Sequence, residues 1–188
     1  LTGLGLGGNK VRGLEYILAD AEGRGCDCVV TGGGVQSNWA MLAALAARTR
    51  GLDAVLVCFG DPVPPAGNML LAMQVGAEVR FTGDPDRASV DRGVEDVAAR
   101  LRAAGRTPYP MGRGGANAVG ALGYVAASAE LLTQLHERSL RPMQLWLATG
   151  SCGTQAGLLA GAAWLRPGYD VVGVAVSRPV PESAARVG

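Results

Sequence analysis

Residues 28–49 read CVVTGGGVQSNWAMLAALAART, and their pattern decides the fold. Cys28, Val29, Val30 and Thr31 form a short apolar strand pattern that runs into three glycines, Gly32 to Gly34. Ser37 and Asn38 stand where a helix cap belongs, and an alanine-rich helical run follows them. Strand, glycine turn and helix in that order make half of a parallel βαβ unit.

The order repeats on either side. Residues 11–25, VRGLEYILADAEGRG, put Leu14, Ile17, Leu18 and Ala21 at helical spacing and stop at glycines. Strand patterns lie at 54–60 (AVLVCFG), 78–83 (EVRFTG) and, more weakly, 107–112 (TPYPMG), with helical patterns at 68–77 and 89–105 between them. A further helix spans 120–137, and the strands QLWLATG (144–150) and DVVGVAVS (170–177) flank the helix TQAGLLAGAAWL (154–165). Alternation of this kind predicts an α/β fold, with parallel sheets covered by helices on both faces. Pro and Gly cluster at DPVPPAGN (61–68) and MGRGGANAVG (111–120), either of which suits a lobe boundary. Residues 146–164, WLATGSCGTQAGLLAGAAW, echo 29–47: each is a strand, Thr-Gly, a small polar turn and a small-residue helix. Two helix N-termini preceded by glycine and hydroxyl groups suit anions.

Composition excludes several function classes. A hydrophobic content of 48% over 188 residues, with 18% charged, fits a folded domain or two small lobes. The net charge of +1 gives no basic surface for nucleic acid. No apolar run is read as reaching the roughly 20 residues of a membrane helix, and LTGLGLGGNK has no signal-peptide pattern, so a cytoplasmic protein without membrane attachment is expected. Four cysteines, Cys26, Cys28, Cys58 and Cys152, lack zinc-site spacing and read as reduced thiols, with no metal expected. The single histidine, His136, sits in a polar helix end, which removes histidine-dependent triads.

Lys10 is the only lysine among 17 basic residues. Arginine serves wherever a surface charge suffices, so a lone lysine invites a chemical reason: its amine can deprotonate and attack a carbonyl. It follows Gly7, Gly8 and Asn9 and opens a helix, where the dipole disfavours its charged form. The stretch is not a phosphate-binding Walker loop, because spacing and hydroxyl are missing. In 31–38, TGGGVQSN, Ser37 and Asn38 cap a helix and suit a carboxylate. In 149–157, TGSCGTQAG, Thr149, Ser151 and Thr154 supply hydroxyls while Gly150 and Gly153 let backbone wrap an oxyanion such as phosphate. Neither glycine loop has dinucleotide spacing, which argues against a Rossmann domain. An amine, a phosphate cradle and a carboxylate site are together what pyridoxal 5′-phosphate (PLP) needs.

With those residues laid out, the chain resembles the D-cysteine desulfhydrase and 1-aminocyclopropane-1-carboxylate (ACC) deaminase family of PLP enzymes, of the two-lobed tryptophan-synthase-β-like fold type II. LTGLGLGGNKVRGLEYILADA resembles its lysine segment, TGGGVQSN its substrate-carboxylate segment, GGANAVGALGYV its crossing between lobes and ATGSCGTQAG its phosphate loop. The resemblance implies a small lobe at 13–122 inserted into a large cofactor lobe of 1–12 and 123–188, which continues beyond residue 188 in relatives. It implies that Lys10 forms a Schiff base with PLP and shuttles protons, and that Asn38 hydrogen-bonds the cofactor's 3′-oxygen. Ser37 would bind the substrate carboxylate or act as an extra base or nucleophile. Gly150, Ser151, Cys152, Gly153 and Thr154, with Thr149, would surround the phosphate. Relatives commonly carry His or Gln and then Arg after the Ser-Asn pair; here Trp39, Ala40 and Met41 follow, so Trp39 is expected to change the substrate pocket. The activity implied is a lyase on a small amino acid, of the D-cysteine desulfhydrase type, releasing pyruvate, ammonia and sulfide. ACC deamination and β-replacement are the enzymatic alternatives, and a non-catalytic PLP- or phosphate-binding fragment is the alternative of another class. A homodimer is expected.

Overall fold

The computed structural model describes residues 3, 4 and 7–187. They form two compact units, one ending at Gly115 and one beginning at Ala116, so the division falls within the second of the two Gly-rich loops.

The first unit begins with α1 (Lys10–Gly23), then β1 (Cys28–Gly33), α2 (Asn38–Thr49), β2 (Asp53–Cys58) and α3 (Gly67–Gln74). It continues through β3 (Glu78–Phe81), α4 (Ser89–Ala103), β4 (Pro108–Pro110) and a short turn at Arg113–Gly115. The strands form one sheet in the order β3-β2-β1-β4, with every pairing parallel. In register, Cys28 lies opposite both Asp53 and Pro108. The chain builds outward from β1 to β3 and then returns to β4 on the other side of β1. That reversal creates a topological switch point at the carboxyl ends of β1 and β4, where open parallel sheets bind ligands.

Side-chain periodicity explains the packing. On α1 the residues Val11, Leu14, Ile17, Leu18 and Ala21 are buried, at one-face helical spacing. Val30, Val55 and Val57 of the sheet close against Val90, Val94, Val97 and Ala98 of α4. Each large aliphatic group taken fully out of water contributes about 1.5–3 kcal/mol. The α2 helix is almost wholly buried, and its run of alanines lets it lie close to the sheet. Ser37 caps it: its hydroxyl accepts a hydrogen bond from the Ala40 N–H at 3.2 Å.

The second unit contains α5 (Ala118–Glu137), β5 (Gln144–Thr149), α6 (Gly153–Leu165), β6 (Asp170–Ala175) and α7 (Val180–Val187). Strands β5 and β6 pair in parallel, and α6 is the crossover between them. Gly157 and Gly161 of α6 bring that helix onto α5: a Cβ at Gly157 would strike the Ala121 carbonyl, and one at Gly161 the Ser128 side chain. The α5 helix, with 20 residues and a mean hydropathy of 1.2, does reach the length and composition of a membrane span, contrary to the sequence expectation. It includes Glu130 and Gln134, and within its unit it packs along α6. The sequence pattern assigns no element to 178–188; in α7, Pro181 falls in the first helical turn, where proline is tolerated. Glu182 ties its register through Arg178 at 2.6 Å and Arg186 at 3.3 Å.

Candidate cofactor site

The switch point of the first unit is occupied by the loop 34–37, which joins the end of β1 to α2. Thr31 is fully buried and accepts a hydrogen bond from the Trp39 indole N–H at 2.8 Å. The Trp39 ring, only 4% exposed, lies against Gly115, whose φ of +63° only glycine adopts freely and whose missing side chain leaves room for the ring. Met111 extends the β4 side by donating its N–H to the Val30 carbonyl at 2.8 Å. Trp39, expected at the substrate pocket, is thus placed beneath the loop, where a buried indole N–H needs the acceptor that Thr31 provides.

At the surface of the loop, Ser37 is half-buried and Asn38 exposed. Asn38 Oδ1 accepts from Asn68 Nδ2 at 2.7 Å, and the same nitrogen donates to the Gln36 carbonyl at 3.0 Å. Neither Gln36 nor Asn68 stood out in the sequence. The only signal was one polar residue, Asn68, entering α3 behind a proline-rich turn.

Lys10 lies in the first turn of α1, after Gly7 and Gly8 with φ of +73° and +115°. Residues 5 and 6 of this stretch lie outside the described residues. Lys10 has no charged or hydrogen-bonded partner among the described residues, and burial holds its pKa below the ordinary lysine value. Gly8 runs beside α2, its Cβ position 3.9 Å from the Leu42 side chain.

In the second unit the loop between β5 and α6 carries the residues expected to surround a phosphate. Cys152 caps α6 in the left-handed conformation with φ +73° and is buried. Gly153 approaches Ala116 so closely that a Cβ would lie 3.1 Å from its Cα. The first N–H groups of α6 have no partner within their own helix. Arg178, also unforeseen, donates from Nε to the Gly150 carbonyl at 3.1 Å, so the peptide that follows must point its N–H the opposite way. Ser151 and Thr154 sit half-buried at this loop. The Thr149 hydroxyl is buried with no hydrogen-bond partner and lines a cavity of about 350 Å³ with Gln155, Gly173 and Ser183, whose hydroxyl is likewise unpaired.

The family model for pyridoxal-phosphate dependent enzymes matches residues 2–187. The chain belongs to this family. It is 44% identical over 187 residues to a Pyrococcus abyssi protein provisionally named 1-aminocyclopropane-1-carboxylate deaminase, a match covering 100% of this chain and 56% of that protein. It is 36% identical over 197 residues to the D-cysteine desulfhydrase of Serratia proteamaculans, covering 100% of this chain and 58% of the relative. A crystal structure described as an ACC deaminase homologue superposes with a TM-score of 0.91 at 41% identity, over 100% of this chain and 56% of its own. The chain spans about half the length of the curated relatives it matches. Parallel sheets with helices on both sides, in this family, make the fold type II.

The residues present fit the cofactor. An amine kept neutral more readily by burial suits a carbonyl partner. A glycine loop with a left-handed residue, leading into a helix N-terminus, suits a phosphate.

Proposed function

We propose that this chain is the PLP-binding part of an enzyme that releases ammonia from a small α-amino acid. Bound PLP supplies an electron sink for charge developing at the substrate Cα. The remaining work falls to side chains. Lys10 holds the cofactor through its amine and moves a proton at Cα. Ser37 binds the substrate carboxylate with its hydroxyl, and Asn38 donates to the cofactor's 3′-oxygen. Gly150 to Thr154 take the phosphate chiefly through N–H groups, with Thr149 supporting the loop from below. Residues 1–12 and 123–188 are assigned to the cofactor lobe and 13–122 to the smaller one.

The single observation that carries this reading is Lys10: one ε-amine in the chain, opening a helix, without a counter-ion among the described residues and with its charged form disfavoured by burial. Between the two substrates in view, the relatives named for ACC deamination are nearer in identity than the D-cysteine desulfhydrase, so ring opening of ACC ranks ahead of sulfide elimination. Replacement chemistry loses its motive, because Trp39 is nearly inaccessible.

The test begins with purified protein and PLP. Binding should give a visible absorbance band that Lys10→Ala abolishes; identical spectra for both would overturn the assignment. Ammonia release from ACC, D-cysteine and L-cysteine then ranks the substrates. Release from none of them would leave a binding protein in place of an enzyme.

A further inference from the structure

Asn38 and Asn68 are both amides, and in a pair of amides a third group must decide which atom donates. The Gln36 carbonyl is that group. It can only accept, and it takes Asn68 Nδ2 at 3.0 Å. The same Nδ2 reaches Asn38 at 2.7 Å, so the Asn38 atom at that contact is its oxygen. The rest of the junction is fastened too. The Asn68 N–H donates to Gln36 Oε1 at 3.0 Å, and Gln36 Nε2 donates to the Ala66 carbonyl at 3.0 Å. Gly67, at φ +54°, fits between them only because it has no Cβ to strike the Gln36 side chain. With its oxygen engaged, Asn38 retains an NH₂ group that no described residue accepts from.

We propose that Asn68 is a positioning residue, which fixes the orientation of the Asn38 amide so that Nδ2 serves as a donor to the cofactor's oxygen. This rests on the function proposed above, in which Asn38 meets that oxygen. Without Asn68, the Asn38 amide could turn its carbonyl, which repels an oxygen ligand, toward the cofactor. Asn68 removes that alternative without touching the ligand.

The experiment is a pH titration of the visible band of the PLP-loaded protein, with PLP affinity measured alongside. Asn38→Ala should shift the midpoint and weaken PLP binding about tenfold, the size of one hydrogen bond to a charged group. Asn68→Ala and the isosteric Asn68→Asp should each shift the midpoint in a similar way. The double variant Asn38→Ala/Asn68→Ala should shift it no further than Asn38→Ala alone, because Asn68 acts only through Asn38. Additive shifts in the double variant, or an unmoved midpoint in Asn68→Asp while Asn38→Ala moves it, would overturn the inference. A wild-type protein with no band lost on Lys10→Ala would instead overturn the functional reading, and this one with it. Thermal unfolding separates a folding defect in Asn68→Ala from the effect sought, and Asn68→Asp keeps the shape if the alanine variant fails to fold.

Discussion

The Trp39 indole N–H and the Thr31 hydroxyl meet at 2.8 Å in the interior of the first unit, tying the end of β1 to the first turn of α2 beneath the loop they flank. Trp39→Phe removes the donor and strands a buried hydroxyl. Chemical denaturation should show a loss of about 1–3 kcal/mol. Trp39→Phe combined with Thr31→Val removes both polar partners and should recover part of that loss, since neither is then left unsatisfied. A double variant less stable than the sum of the two single changes would refute the pairing.

Lys10 should make the stability of the cofactor-free protein depend on pH. Its folded pKa lies below the ordinary value of 10.5, so between the two the unfolded chain binds more protons. Stability therefore rises with pH across that window. Lys10→Met lacks this contribution and should be the more stable protein at neutral pH. Its advantage in thermal midpoint should close as the pH approaches the ordinary lysine value; a constant difference at all pH values would contradict it.

Arg178 grips the Gly150 carbonyl and is itself held by Glu182. Removing the side chain frees that peptide to turn. Arg178→Ala should weaken binding of PLP about tenfold, while binding of pyridoxal, which lacks the phosphate, stays the same. Equal losses for both compounds in equilibrium dialysis would assign Arg178 to general stability instead.

The seam between α5 and α6 should tolerate no added methyl. A Cβ at Gly157 would sit 2.6 Å from the Tyr124 Cβ, and one at Gly161 would meet Ser128. Either alanine substitution should cost about 1–3 kcal/mol by overpacking. Gly23, the last residue of α1, has nothing within 4 Å of its Cβ position. Gly23→Ala should be neutral or stabilising by up to about 1 kcal/mol, through the unfolded chain. Denaturation midpoints that fall alike at all three positions would contradict the packing described.

The alternation of strands and helices was legible because each element carries its own period, as in the Val11–Leu14–Leu18–Ala21 stripe of α1. Composition singled out Lys10 as a candidate, and the place of Ser37 before a helical run marked the helix cap that the structure shows. What escaped notice depends on contacts between distant segments. Asn68 and Asn38 are 30 residues apart, and Arg178 and Gly150 are 28 apart; in both places the decisive acceptor is a backbone carbonyl, which no residue type reveals. The burial of Trp39 likewise depends on a glycine in another loop, Gly115, making room for its ring. A tryptophan beside a candidate substrate group reads as pocket lining until that partner is known.

Lys10, alone as an ε-amine, also gives the protein a built-in analytical label. Borohydride reduction of the PLP-loaded protein would fix the cofactor's mass at one possible side chain. A lysine-specific protease would cut the unmodified chain once, after Lys10, and would be blocked there once the adduct is reduced. Occupancy could therefore be read as the ratio of cut to uncut polypeptide on a gel, without a substrate and before any activity is known.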